Sequence, residues 1–494
     1  MIAIKDIEEQ LQLFKKKATK CIVSSSYKEG LKYLELYASL AYKYNIHYTD
    51  NDVENVLVQL SNAILGNHTI SQKKNKIVFY DSFANTRVLA QQYLRAIFSW
   101  NSELLYITNT EIDVELLSEL HEYPKVKIIR YNKGDIADYK RVVDEIKAFE
   151  PEKVLLHITP WDISGFCIWN AINNVDRFLI NLTDHAFWLG KSCADYILEF
   201  RNYGASLSVY ERSITIDRLL KQPYYPIIHH KEFQGFPFKK DKLVAFAGSS
   251  LYKIISKENI FLTQIATVLK QNENLLFVLA GHGDKTIIED FIIKNNLENK
   301  FYFIGDRKDI SSVFENIDIY VNTSPLSGGL MSQYAAIYNK PIIGYSSKDF
   351  NGVNDIEDLL QIEHKGLLVH NTETGFIDYF NQLIASEDCR KGNILHTKDS
   401  IISPNTFNER LYENIYRYKY IVTKEQIETV QINVEAFANF YIDTENNFSK
   451  SHYAVIWSYL KFKIIYYFPY EGLKLVATRG IKKALRICGM NKRK

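Results

Sequence analysis

Residues 317–345 read IDIYVNTSPLSGGLMSQYAAIYNKPIIGY, and the fold turns on them. Ile317–Val321 alternates apolar and short polar residues, as a buried strand does. A turn of small residues follows, Asn322 to Gly329. Leu330–Tyr338 then runs without a breaker to Asn339, a helix stop, and Lys340-Pro341 restarts the chain as the strand Ile342–Tyr345. Strand, turn, helix, strand is a βαβ unit, and its turn lies at the carboxyl end of the sheet. The glycine pair has two readings. It serves a tight turn that needs positive φ, or it brings bare N–H groups at a helix start close to an anion.

Working outward, 494 residues provide for two to four domains. A content of 46% hydrophobic and 24% charged residues is that of a globular protein. Five scattered cysteines, with no CxxC pair, predict reduced thiols in a cytosolic setting. No secretory leader and no transmembrane stretch is expected. The net charge of +2 conceals an asymmetry, because residues 461–494 hold ten Lys and Arg against Glu471 alone. The chain as a whole carries no field for nucleic acid.

In chain order, residues 1–70 predict a helical cap. From Lys76 strands alternate with helices: KIVFYDS (76–82), ELLYIT (103–108), VKIIRYN (126–132), KVLLHIT (153–159), RFLINLT (177–183), YILEF (196–200) and LSVYE (207–211). That describes an α/β domain over 76–230. A proline-bearing linker leads to a second α/β domain over 243–420, with strands LVAFAG (243–248), LLFVLAG (275–281), FYFIG (301–305), IDIYVN (317–322), PIIGY (341–345) and GLLVH (366–370). Helices at 405–418 and 424–442 run back toward the first domain, and 421–494 is a C-terminal helical region with a basic tail. The fold class is therefore α/β, two doubly wound Rossmann-like domains facing a cleft.

Several strand ends carry chemistry. Gly248 and Ser249 offer donors, and Lys253 either reaches a phosphate or is a solvated lysine. Gly281 and His282 stand at the next strand end, and Arg307 at another, near a nucleotide or capping a helix. In the first domain, Asp81, Ser82, Asn85, Arg87, Trp161 and Asp162 occupy strand-helix turns. Asp184 and His185, with Trp188 and Lys191 close by, suit a general base or, alternatively, a helix cap beside an ordinary histidine.

The order of these motifs resembles the GT-B glycosyltransferases, and within them the catalytic region of the O-linked N-acetylglucosamine transferase family and its bacterial relatives. WLGKSCADYILEF (188–200) with Glu211 and PYYP (223–226), SSLYKI (249–254) and NTSPLSGGLMSQYAAIYNKPII (322–343) carry the likeness, over roughly 150–345. It maps a phosphate lysine onto Lys253 and a UDP diphosphate onto Ser327, Gly328 and Gly329. The family's His-Thr-Thr run is Leu330-Met331-Ser332 here, so Ser332 alone remains, and no tetratricopeptide repeats precede the domain. Leu326 and Tyr334 stand near the two glutamates of the retaining branch.

The resemblance implies a hexosyltransferase-type enzyme that is inverting and metal-independent. It has no cofactor, a UDP-sugar as donor and a protein, glycan or lipid-linked acceptor, with the base drawn from Asp184 or His185. Alternatives are a UDP-sugar epimerase or polyol-phosphate polymerase on the same fold, and a non-catalytic partner of a glycosyltransferase. A cytoplasmic location is expected. Residues 451–494, with an amphipathic helix around 472–488, are expected either to meet the inner face of an anionic membrane or to pack on the domains.

Overall fold

The computed structural model describes residues 2–86, 89–255, 259–350, 352–362, 366–427, 433–448 and 452–487, with backbone alone at 445–448 and 480–487. Arg87, and the first residues of the helix expected from 256, lie outside them. Helices Ile4–Val23, Tyr27–Tyr44 and Asn51–Leu65 form the N-terminal cap. Asp50 caps the third, its carboxylate accepting the N–H groups of Asp52 and Val53.

The first sheet contains β1 Lys76–Asp81, β2 Glu103–Thr108, β3 Val126–Arg130, β4 Lys153–His157, β5 Asp176–Ile180, β6 Tyr196–Glu199 and β7 Leu219–Lys221. All are parallel, in the order β3-β2-β1-β4-β5-β6-β7. The second sheet contains β8 Leu243–Gly248, β9 Leu275–Ala280, β10 Phe301–Phe303, β11 Ile319–Val321, β12 Ile342–Tyr345 and β13 Val369–His370, in the order β10-β9-β8-β11-β12-β13. Both sheets reverse direction beside their first strand, at the β1/β4 and β8/β11 junctions. Doubly wound folds bind ligands at such junctions. Apolar side chains of each sheet split into two clusters, one per face, as covered parallel sheets require.

One first-domain expectation is corrected, and one strand is added. LSVYE is not a strand but the end of helix Asn202–Tyr210. Asp358 of the second domain accepts the first N–H groups of that helix, from Asn202 and Tyr203 at 2.9 and 2.8 Å, so a tertiary cap overrides a β-like pattern. The last strand is instead Leu219–Lys221, which pairs Ile197 with Leu219 and Glu199 with Lys221. Three residues are too few to show a period.

Helix Pro404–Arg417 crosses back and packs on helix Ala90–Ser99, with Phe407 edge-to-face on Tyr93 at 5.1 Å. Val422 then donates to the Leu219 carbonyl at 2.9 Å, extending the exposed edge of β7. Helices Val434–Phe448 and His452–Leu460 join the N-terminal cap, where the His452 ring lies between Tyr44 at 2.7 Å and Gln10 at 2.6 Å. Among the described residues no helix is long and apolar enough to cross a membrane.

Leu411, fully buried in the core beside β1, reports on this return of the chain. Leu411→Ala is expected to cost about 2–5 kcal/mol in urea unfolding and to lower the stability of the first domain rather than the second.

Candidate active site

The candidate crevice lies at the β8/β11 junction. Strand β8 ends at Gly248 and β11 leads through Asn322 to helix Gly329–Ile337, whose preceding residue, Gly328, has no side chain to cap it. The first N–H groups of a helix lack intrahelical partners, so those of Gly329, Leu330 and Met331 face outward with the positive end of the helix dipole. Neither glycine has a positive φ, which removes the tight-turn reading. Close approach is the reason instead: a Cβ on Gly328 would lie 3.3 Å from the Gly248 carbonyl, and one on Gly329 would lie 3.1 Å from the Tyr224 hydroxyl.

Lys253 follows the β8 turn and donates to the Ser327 carbonyl at 3.1 Å. Among the described residues no carboxylate pairs with it. Burial, and the nearby Arg201 charge, push its pKa down to about 8. A half-buried ammonium beside a helix start is a candidate place for an anion. The β8 and β9 loops are stitched together, Leu251 donating to the His282 carbonyl at 3.0 Å. The exposed His282 lies with Nε2 3.0 Å from the Ser250 hydroxyl. Gly281 is obligatory, since a Cβ there would come within 1.9 Å of the Ser249 carbonyl oxygen.

Other expected ligands are engaged elsewhere. Arg307 forms a two-pronged pair with Asp309 at 2.7 and 2.6 Å and donates to the Gly235 carbonyl at 2.9 Å, clamping the interdomain linker. Ser332 is fully buried and points at Asn322 Oδ1 and the Gly328 carbonyl, both 3.4 Å away. The Gly328 N–H is used by Asn322 Oδ1 at 3.1 Å. The crevice is thus built from the helix start and Lys253, more than from side-chain hydroxyls.

Across the cleft, Asp184 is buried and accepts from Arg201 Nε at 2.5 Å and Nη2 at 3.1 Å. Burial works against its charge, but the Arg201 guanidinium and the bonds from His185 and Arg201 overcome it and hold the carboxyl well below the usual range. Its other oxygen face lies 3.3 Å from His185 Nδ1. The half-buried His185 has no partner at Nε2 among the described residues. Two elements fix this loop. Arg212 donates to the Asp184 and Ala186 carbonyls at 2.8 and 2.7 Å. Asn45, at the end of cap helix Tyr27–Tyr44, donates to the His185 carbonyl and accepts from the Phe187 N–H.

Arg201 carries the connection over to the second domain. Its Nη1 donates to the Val353 carbonyl at 3.0 Å, and the Ser327 hydroxyl shares that same oxygen at 3.3 Å. The dyad and the anion crevice therefore face one another. Leu326 lies in an apolar cluster with Tyr48, Tyr203 and Val353 at the cleft floor, and Tyr334 donates to the Ile227 carbonyl.

Sequence reasoning missed Arg201, Arg212, Asn45 and Val353, since each acts through a contact distant along the chain. The first domain's own β1/β4 junction is closed. Ser82 and Thr159 bind each other across it, Phe83 stacks 4.8 Å from the buried His157, and Asp162 accepts from Tyr80. Asn85 is exposed outside this plug. Trp161 packs on Tyr42 of the cap, Trp188 lies under Arg212, and Lys191 donates to the Arg212 carbonyl. Asp50 and Asp52, at the start of a cap helix, both pair with Lys15.

Comparison with known proteins agrees with this layout. The family model "Glycosyl transferases group 1" matches residues 241–386, the domain that holds the crevice. No curated protein matches the chain in sequence. Among solved structures, a glycosyltransferase of Rickettsia africae is similar at TM-score 0.51 and 10% identity, covering 69% of this chain and 98% of its own. HepE of Anabaena, solved in complex with UDP, is similar at TM-score 0.52 and 12% identity, covering 69% and 99%. A mutant O-GlcNAc transferase of Thermobaculum terrenum reaches TM-score 0.52 at 13% identity, covering 88% and 84%. The fold is the GT-B glycosyltransferase fold. Its second domain is the part that carries the group 1 glycosyltransferase signature.

A lysine whose folded pKa lies below its unfolded one costs stability while charged, and that cost fades as pH rises past about 8. Lys253→Met is therefore expected to be more stable than the parent at pH 7 without ligand, with the difference narrowing toward pH 10 in urea titrations.

Proposed function

We propose that the protein is an inverting, metal-independent glycosyltransferase that moves a hexosyl group from a UDP-sugar to an acceptor hydroxyl or amide of a protein, glycan or lipid-linked molecule. The observation that carries this reading is Lys253, half-buried and, among the described residues, without a carboxylate partner, beside the uncapped start of helix Gly329–Ile337. The diphosphate lies on the N–H groups of Gly329, Leu330 and Met331, with Lys253 against its oxygens. Gly248, Ser249, Gly281 and His282 line the nucleotide side, and UDP in the similarly folded HepE supports the choice of nucleotide.

The two candidate bases then divide the work. Asp184, held ionised by Arg201, is a weak base but a good orienting group for the imidazole. His185 takes the acceptor proton at Nε2 as the acceptor oxygen or nitrogen forms its bond to the anomeric carbon. The bond from that carbon to the diphosphate breaks, and the electron pair leaves with UDP. Positive charge for the leaving group comes from Lys253 and the helix dipole. Leu326 and Tyr334, where the retaining branch has glutamates, support direct displacement.

Titration calorimetry with UDP tests the crevice. Saturable binding is expected, weakened about 10- to 100-fold in Lys253→Ala and falling in the parent as pH rises past 8. A protein that binds no UDP is the non-catalytic partner instead. His185→Gln is expected to keep UDP affinity while lowering turnover about 10²- to 10⁴-fold. Interconversion of UDP-sugars without acceptor identifies an epimerase.

A further inference from the structure

The C-terminal helices present a surface that the catalytic reading does not use. After helix His452–Leu460 the chain makes a short turn at Lys461–Lys463, a single helical turn Ile464–Tyr467, and then enters helix Pro469–Ile487. The elbow is tight. Gly472 lies against the Ile465 backbone, where a Cβ would come within 2.9 Å of the Ile465 Cα. Leu460 and Ile464 point inward and are buried, and Tyr467 is fastened to the cap through a 2.7 Å bond between its hydroxyl and that of Tyr33. Lys463 pairs with Glu29 of the cap at 2.9 Å. The elbow is therefore held in a defined pose.

Its outer side is apolar and aromatic. Phe462, Tyr466, Tyr470 and Leu473 are 68%, 80%, 75% and 57% exposed, all within twelve residues. Single exposed apolar residues are ordinary, but a cluster marks a contact surface. The charges around it are nearly all basic: Lys461 and Lys474 are exposed beside it, Arg479 stacks over Trp457, and Lys17 of the cap lies over the Tyr467 ring. Glu471 is the one carboxylate in residues 461–494. Ring systems with a polar tip, set among lysines, suit the boundary of a lipid bilayer, where rings enter the headgroup zone and ammonium groups meet phosphates.

We propose that this elbow, residues 461–474, docks the protein on an anionic bilayer. Phe462, Tyr466 and Tyr470 enter the headgroup region while Lys461 and Lys474 contact lipid phosphates. The docking element is thus the turn between helices, rather than an amphipathic face of the last helix. Because the elbow is bolted to the cap, and Asn45 of the cap holds the His185 loop, docking orients the cleft relative to the membrane.

Co-sedimentation of the full chain with phosphatidylcholine vesicles, with and without phosphatidylglycerol, tests this. Binding is expected only with phosphatidylglycerol and is expected to fall with added salt. The triple substitution Phe462→Ser, Tyr466→Ser, Tyr470→Ser is expected to lower partitioning about 10-fold or more, and Lys461→Gln with Lys474→Gln to flatten the salt dependence. All five side chains are on the surface, and unchanged UDP binding and melting temperature confirm that the variants fold. Parent protein that ignores the anionic vesicles, or a triple variant that binds as well as the parent, overturns the proposal. So does a parent dimer in sedimentation that the triple variant loses, which makes the patch a contact between copies.

Discussion

A guanidinium buried at the centre of the molecule ties its parts together. Arg201 leaves the end of β6 and meets the Asp184 carboxylate in the first domain and the Val353 carbonyl in the second. Taking such an ion pair out of water is costly, and removing one partner leaves an uncompensated charge in a low-dielectric interior. The loop of Asp184, the end of β6 and the turn at Val353 are therefore interdependent. Asp358 adds to the arrangement by accepting N–H groups of the helix that starts immediately after Arg201. Domain orientation, the pose of His185 and the environment of Lys253 follow from one cluster of charges.

The two α/β domains share a strand order but use it differently. In the second, small residues line the strand-order reversal: Gly281, Gly328 and Gly329 each sit where a methyl group would meet backbone or a hydroxyl, and Gly248 where it would meet the Phe246 ring. In the first, Phe83, Ser82 and Thr159 fill the equivalent place. What the first domain contributes to the cleft comes from farther along its sheet, at β5 and β6, with the helical cap behind it. The cap does more than cover apolar surface, because Asn45 fixes the backbone that follows His185, on both sides of Ala186, and Glu54 accepts the N–H groups of Gly190, Lys191 and Ser192.

Much of this was readable along the chain. Strands of the two sheets announce themselves as short apolar runs between helices, and the Gly-Gly turn and Lys253 stand at strand ends where doubly wound folds bind ligands. The reading falls short where a partner, distant or local, takes up a residue. Leu207–Glu211 has a β-like composition but is helical because Asp358, some 150 residues on, caps its helix. Arg307 looked available for a nucleotide, yet its guanidinium fork fits Asp309 two residues away. Ser332 resembled a phosphate ligand, but the helix turns it toward Asn322.

The sequence alone determined the class of fold and its two large parallel sheets, because hydrophobic period and strand length are local properties of the chain. Which charged groups stay free for chemistry was decided only in three dimensions. Lys253 lies near Arg201 with no carboxylate partner among the described residues, and the His185 imidazole meets an Asp184 carboxylate that Arg201 holds. The Arg201 contacts that set both, to Asp184 in one domain and Val353 in the other, join positions far apart in the chain.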